Sequence, residues 1–342
     1  MTDMVKKSNR FKSVFSRWET MLFLIFIIFN IIMSFTTPYY LNARNILDMT
    51  FIFMEKGLIA LIMTLIIITG NIDLSVASTM SLSSVVMAVS FQSGINIWIS
   101  VLLGILAGTF CGFLNGFIIT RLSLPSMIIT LATFSFYRGI SYVILGDKAV
   151  SGFTEKFTYL GQGYIGNTKI PFPLIVFIVL AIIFSLVLHK TFMGRMIYAI
   201  GWNENSCFAS GIPVKKIKLI LFTLSGFISS FAAMFLTARI GNTRPNLATG
   251  FELEIITIVI LGGVMMSGGT GTMPGVIISI FLIGTIRYGL GLHNVPGQIM
   301  LIISGTLLIL SILINNFVKN FTKPKPLRQY KLILAAIQII NK

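Results

Sequence analysis

The sequence predicts an all-α, polytopic membrane protein, and three observations carry that prediction. The 342 residues are 55% hydrophobic and only 11% charged, where soluble domains carry about 25% charged residues. Mean hydropathy is +0.92. Apolar runs of spanning length recur along most of the chain, and Lys and Arg sit mainly in the gaps between them. The formal charge of +16 therefore reads as membrane topology rather than a nucleic-acid face, which would cluster its basic residues with interleaved aromatics.

A helix crosses the hydrocarbon with roughly 20 apolar residues. Ten runs qualify: 18–35, 51–69, 76–92, 97–120, 124–145, 171–189, 217–237, 252–266, 273–292 and 295–315. Three of them, 76–92, 124–145 and 252–266, are short or interrupted by polar residues, as cavity-lining segments tend to be. Arg287 makes the ninth run the least typical. Seven basic residues (Arg44, Lys56, Lys148, Lys156, Lys169, Arg239 and Arg244) fall on one side of this topology and seventeen on the other. The positive-inside rule then puts both termini in the cytosol. The expected organisation is a basic cytosolic N-terminus over 1–17, a membrane domain over 18–316 and a basic cytosolic tail over 317–342.

The first run ends in SFTTPYY without a small-residue cleavage signature, so it reads as a retained helix. Cys111 and Cys207 offer no disulfide framework and no metal set. His189 and His293 are isolated, and no hydrolytic arrangement is visible. The expectation is a chain with no catalytic residues, no metal and no cofactor of its own.

Four stretches interrupt the apolar pattern. GNIDLSVAS, at 70–78, places Asp73 and Ser75 between two spans. A carboxylate at that depth costs at least about 2.5 to 3.5 kcal/mol. Either these residues shape a translocation path, or they cap the following helix. LPSMIITLATFSFYRG, at 124–139, carries Tyr137 and Arg138, which either approach the outer mouth of a pore or serve as a snorkelling or ion-paired anchor. ELEIITIVILGGVMMSGGTGTMPG, at 252–275, opens with Glu252 and Glu254, suited to a helix N-terminus. Its glycines lack the GxxxxGK[ST] arrangement of a nucleotide loop and suit tight turns and close helix packing. The segments near Asp73 and Glu252 occupy comparable places in the two halves, a pattern associated with a midplane site.

The fourth stretch is a polar island at His189–Lys218, with Lys190, Arg195, Lys215, Lys216 and Lys218 against the single acid Glu204. The charge count puts it in the cytosol.

Taken in order, these four stretches resemble the ribose-type permease subunits of bacterial ABC importers over about residues 40–316. The resemblance implies a multi-pass protein of the bacterial cytoplasmic membrane that works with a second permease subunit, identical or paralogous. It also implies cytosolic ABC ATPase subunits that use the ATP, and an extracytoplasmic sugar-binding protein. It implies that the island, about 190–216, is a coupling loop docking on the ATPase, with Gly194, Arg195, Tyr198, Gly201, Asn203, Glu204 and Gly211 in the matching positions. The family's first motif has glycines where this chain has Asn71 and Ala77, while Asp73, Leu74 and Ser75 remain. The segment 146–166 is most similar to permeases assigned to rhamnose import, with autoinducer-2 permeases close by. The alternative from the residues is an ion-coupled secondary carrier of a small polar solute, for which Asp73 is the candidate relay; a scaffold that moves nothing is a third reading.

Overall fold

A computed structural model describes residues 18–36, 40 and 42–296, together with scattered positions between 299 and 313. The terminal segments 1–17 and 317–342, and most of the run 295–315, lie outside the described residues.

The described chain is built almost entirely of helices. The apolar Trp18–Thr36 forms α1. Ala43–Asp48 forms the short α2, capped by Asn42, whose side chain accepts from the Arg44 N–H. A 3₁₀ turn at Met49–Ile52 leads into α3, Met54–Ile68, bent by 59° from the segment before it. Then come α4 (Val76–Gln92), α5 (Ile97–Leu122) and α6 (Ser126–Leu145). The surface helix α7 is Glu155–Gln162, and α8 is Phe172–Lys190. Two short helices, α9 (Phe192–Trp202) and α10 (Glu204–Ala209), precede the long α11, Val214–Ile240. The described helices close with α12 (Phe251–Leu261) and α13 (Met273–Leu292).

Six of these helices, α1, α5, α6, α8, α11 and α13, are long and apolar enough to cross a membrane, or seven when the bent pair ending at Ile68 is taken as one span. The runs at 51–69 and 252–266 fold into helices shorter than the runs themselves, and 76–92 is helical over its whole length of 17 residues. α12 has only 11 residues, a reach of about 16 Å at 1.5 Å per residue, because Gly262 and Gly263 (φ +91°) turn the chain out of the helix. α3 likewise stops at Gly70 (φ +76°).

These short helices are the centre of the molecule. All fifteen residues of α3 are buried, and α12 is buried from Glu254 to Leu261. Longer helices surround them, with α1 the most peripheral: 11% of its apolar window is buried, against 67% for α11. Side chains such as Ile28, Phe35, Phe136 and Val143 stay exposed on the outer helices, as helices facing hydrocarbon require. α5 meets α11 closely because Gly108 and Gly112 face Gly226. A Cβ on Gly112 would lie 2.3 Å from the Phe222 carbonyl oxygen, and one on Gly226 would lie 2.2 Å from that of Gly108. Small residues let two backbones approach in this way.

Candidate functional site

The polar island folds into α9 and α10 rather than an irregular loop. Thr191 caps α9 by accepting from the Gly194 N–H at 3.3 Å, and Asn203 caps α10 by accepting from the Ser206 N–H at 2.9 Å. Both are favoured N-cap residues. Glu204 pairs with Lys218 at 2.7 Å, tying α10 to the first turn of α11. Gly211 takes φ +80° in the turn that follows α10.

The island residues divide into two groups. Gly194, Tyr198 and Gly201 face inward: Tyr198 donates its hydroxyl to the Gly271 carbonyl at 2.7 Å, and a Cβ on Gly201 would sit 1.8 Å from the Ile68 carbonyl oxygen. Arg195, Asn203, Glu204 and Gly211 face outward. Gly201 is a packing glycine within α9. The most exposed island aromatics are Trp202 at 80% and Phe208 and Phe192 at 65% each.

Two of the other three distinctive stretches, 70–78 and 252–275, converge beneath the island. The Gly269 N–H donates to the Ile68 carbonyl at 2.8 Å, joining the loop after α12 to the end of α3. Gly268 lies against Gly70 and Gly201 so closely that a Cβ there would approach the Gly70 nitrogen at 2.8 Å. The Met273 N–H donates to His189 Nε2 at 3.2 Å.

The Asp73 carboxylate is buried in this region and is held by hydroxyls and an amide. Oδ1 accepts from the Ser75 N–H at 3.0 Å and from the Ser75 hydroxyl at 2.6 Å, and Oδ2 accepts from Ser225 of α11 at 2.7 Å. Asn115 of α5 donates to the Ser75 oxygen at 2.8 Å, and Tyr137 of α6 donates to Asn115 Oδ1 at 3.0 Å. Asp73 thus links four helices while also closing an Asx turn at the start of α4. Ser75 makes no capping hydrogen bond with its own side chain.

A second polar cluster lies at the opposite ends of α3 and α12. Lys56 contacts both Glu254 oxygens, at 2.9 and 2.8 Å, and Arg287 donates to the same carboxylate. Arg239 donates to Glu55 at 2.6 Å. The central helices are therefore joined by an ion pair at their starts and a backbone hydrogen bond at their ends. Arg138 donates through Nη1 to the Pro245 and Leu247 carbonyls, at 2.6 and 2.7 Å. It anchors the loop 241–250 through backbone carbonyls. Glu252 lies near it, with one buried carboxylate oxygen lacking a partner among the described residues.

The six candidate path residues thus separate into Asp73, Ser75 and Tyr137 in one network and Arg138, Glu252 and Glu254 at the other end. Lys56 and Arg287 as partners of Glu254, and Asn115 and Ser225 as partners of the Asp73 group, are not legible in the sequence, because no local pattern marks such pairings. The glycines at 104, 108, 112 and 116, four residues apart on α5, are a legible signal of its close contact with α11. No group of three or more His, Cys, Asp or Glu among the described residues could hold a metal ion.

Two cavities flank these networks. One, of about 470 Å³, lies at the island end between Gly70, Asn71, Ser126, Glu204, Lys215 and Lys218. The other, of about 530 Å³, lies at the far end between α11, the loop 241–250 and the start of α12.

Residues 45–312 match the family described as branched-chain amino acid transport system / permease component. The chain belongs to this family. The permease is 35% identical over 295 residues to the ribose import permease protein RbsC of Bacillus subtilis (strain 168), covering 86% of this chain and 91% of that one. It is 32% identical over 298 residues to the L-arabinose ABC transporter permease protein AraH of Azospirillum brasilense, covering 87% of each. It shares 32% identity over 298 residues with the autoinducer 2 import system permease protein LsrD of Escherichia coli (strain K12), covering 85% and 90%. No solved structure matches the chain.

Proposed function

We propose that this chain is the membrane-spanning permease subunit of a binding-protein-dependent ABC importer that translocates a sugar or sugar-like solute, driven by a separate ATPase. Membership of the permease family over residues 45–312 carries this reading. The family description names branched-chain amino acids, but the relatives above are permeases for ribose, L-arabinose and autoinducer-2. Those three support a small polyhydroxylated solute such as a pentose or autoinducer-2, and the likeness of segment 146–166 to rhamnose permeases adds a deoxyhexose such as rhamnose.

The topology proposed is ten membrane segments, with short α3, α4 and α12 embedded among longer helices and the tenth at 295–315. Both termini are cytosolic, as the distribution of Lys and Arg favours. The island end is then the cytosolic end. There α9 and α10 form the coupling element: exposed Trp202 and Phe208 meet an ATPase subunit, and the basic residues at 215–218 flank the contact. Gly201 and Tyr198, seated on the loops at 68–70 and 268–271, transmit its movement to α3 and α12. Asp73 and Ser75 hold the inner ends of the path-forming helices and Glu252 and Glu254 the outer ends, while Tyr137 and Arg138, adjacent in the middle of α6, reach toward the Asp73 network and the outer loop respectively.

Reconstitution with the partner ATPase, a second permease subunit and the binding protein tests the reading. The expected result is ATP-dependent uptake of radiolabelled ribose or arabinose, with no hydrolysis by this chain alone. Uptake that persists without ATP and collapses with an ion gradient would establish the secondary-carrier alternative instead.

A further inference from the structure

The 530 Å³ cavity at the end remote from the island is lined by Arg239, Asn242, Arg244, Asn246, Thr249 and Phe251, with aliphatic walls from α11 and the loop. Its volume falls within the usual range of small-molecule sites, about 300 to 1,000 Å³. Its shape is fixed from outside. Residues 242–243 pair with 150–151 in a two-stranded antiparallel sheet, so the segments 146–170 and 238–250 are joined. The Thr243 hydroxyl bonds to Ser84 at 2.8 Å, and the Pro245 carbonyl accepts from Ser81 at 2.6 Å as well as from Arg138. Thr249 donates to the Asn246 carbonyl at 2.7 Å, closing the turn.

Within this held loop, some polar side chains are committed and others are not. Arg239 is engaged by Glu55 at 2.6 Å. The side chains of Asn242, Asn246 and Arg244 make no hydrogen bond or ion pair among the described residues. Asn246 and Arg244 are exposed, and Asn242 is half-buried. Two carboxamides supply paired donors and acceptors, and a guanidinium supplies a fork of donors. Beside them Phe251 presents a ring in contact with the Lys56 ammonium, 4.3 Å from the ring centroid. Neighbouring donors and acceptors beside an apolar wall match the vicinal hydroxyls and C–H face of a monosaccharide. A single unpaired cation among uncharged amides suits a neutral polyol better than a carboxylate ligand.

We propose that this cavity is a low-affinity receiving site for a polyhydroxylated solute, with Asn242, Asn246 and Arg244 as its hydrogen-bonding residues and Arg138 as the strut that positions its loop. The proposal rests on the sugar-permease reading and deepens it by naming where the solute first contacts the chain. Low affinity is expected of an outward site with an open mouth, because a transport intermediate must release what it binds.

The test uses cysteine accessibility in the reconstituted complex. Cys111 and Cys207 are both buried, so I240C, on the exposed aliphatic wall of the cavity, supplies the reactive thiol without removing a proposed hydrogen-bonding residue. A membrane-impermeant maleimide should modify I240C from the extracytoplasmic side, and saturating D-ribose or L-arabinose, added without binding protein, should slow modification several-fold. Leucine, as the branched-chain amino acid probe, should not. N242A, R244A and N246A should each weaken sugar protection several-fold while I240C remains reactive. Protection by leucine rather than by the sugars, absence of protection by either, or failure of I240C to react at all would each overturn the proposal. ATP-dependent sugar uptake by the same preparation keeps the outcomes distinct: retained uptake without protection removes this site and leaves the permease reading standing.

Discussion

Lys56 Nζ lies 2.8 and 2.9 Å from the two carboxylate oxygens of Glu254, a residue 198 positions further along the chain. Both side chains are almost fully buried, and Arg287 shares the same carboxylate. Neither charge could persist there alone, since an unpaired buried ion is strongly disfavoured. The pair fixes the starts of α3 and α12 side by side.

Glu254→Gln should therefore destabilise the folded protein by about 3 to 5 kcal/mol, because Lys56 and Arg287 lose their counter-charge. Replacing all three residues with methionine should recover much of that loss. Thermal unfolding of the detergent-purified protein reads both effects. Equal stability of the single variant and the wild type would show that the pair contributes nothing.

Asp73→Ala should lower stability by about 2 to 5 kcal/mol, since the Ser75 and Ser225 hydroxyls lose their buried acceptor and each buried polar group left unsatisfied costs about 1 to 3 kcal/mol. Asp73→Asn keeps one accepting oxygen and should be milder, with ATP-dependent uptake retained. If Asp73→Asn abolishes uptake in a protein of normal stability, the carboxylate has a role in ion transfer and not only in holding helices.

Gly112→Ala should force α5 from α11, because its Cβ meets backbone rather than a movable side chain. A cost of about 1 to 3 kcal/mol is expected from such overpacking. Gly139→Ala, with nothing within 4 Å of the added carbon, should leave stability unchanged or slightly higher. Yield and melting temperature of the two variants compare them directly.

On the island, Gly201→Ala should impair folding, since the new carbon would meet the Ile68 carbonyl oxygen. Trp202→Ala and Phe208→Ala remove exposed rings and should leave the fold intact while uncoupling ATP hydrolysis from uptake. Normal uptake by the double variant would remove the docking role assigned to these aromatics. Gly211→Ala should cost about 1 to 2 kcal/mol through its left-handed backbone alone.

The runs at 97–120, 124–145, 171–189 and 273–292 appear as helices with nearly the expected ends, because long apolar periodicity and flanking Asn, Pro and Gly residues act locally. The run at 51–69 becomes a helix that ends at Ile68, close to its expected end, but starts late at Met54 after a 3₁₀ turn, while the helix of 252–266 stops early at Leu261, before Gly263 with its positive φ. The island's caps, Thr191 and Asn203, are visible in the sequence, and each starts a short helix.

Membrane class, the order of the segments and the distinctive polar stretches are written in the sequence, because hydropathy, charge distribution and turn residues act within a few positions of one another. Which polar groups meet was decided only in three dimensions. Glu254 reads as a helix-start acid until Lys56 and Arg287 are placed against it. Asp73 reads as a cap until Ser225 and Asn115 arrive from other helices. A buried charge requires a partner, but nothing local says which of the chain's distant residues will supply it.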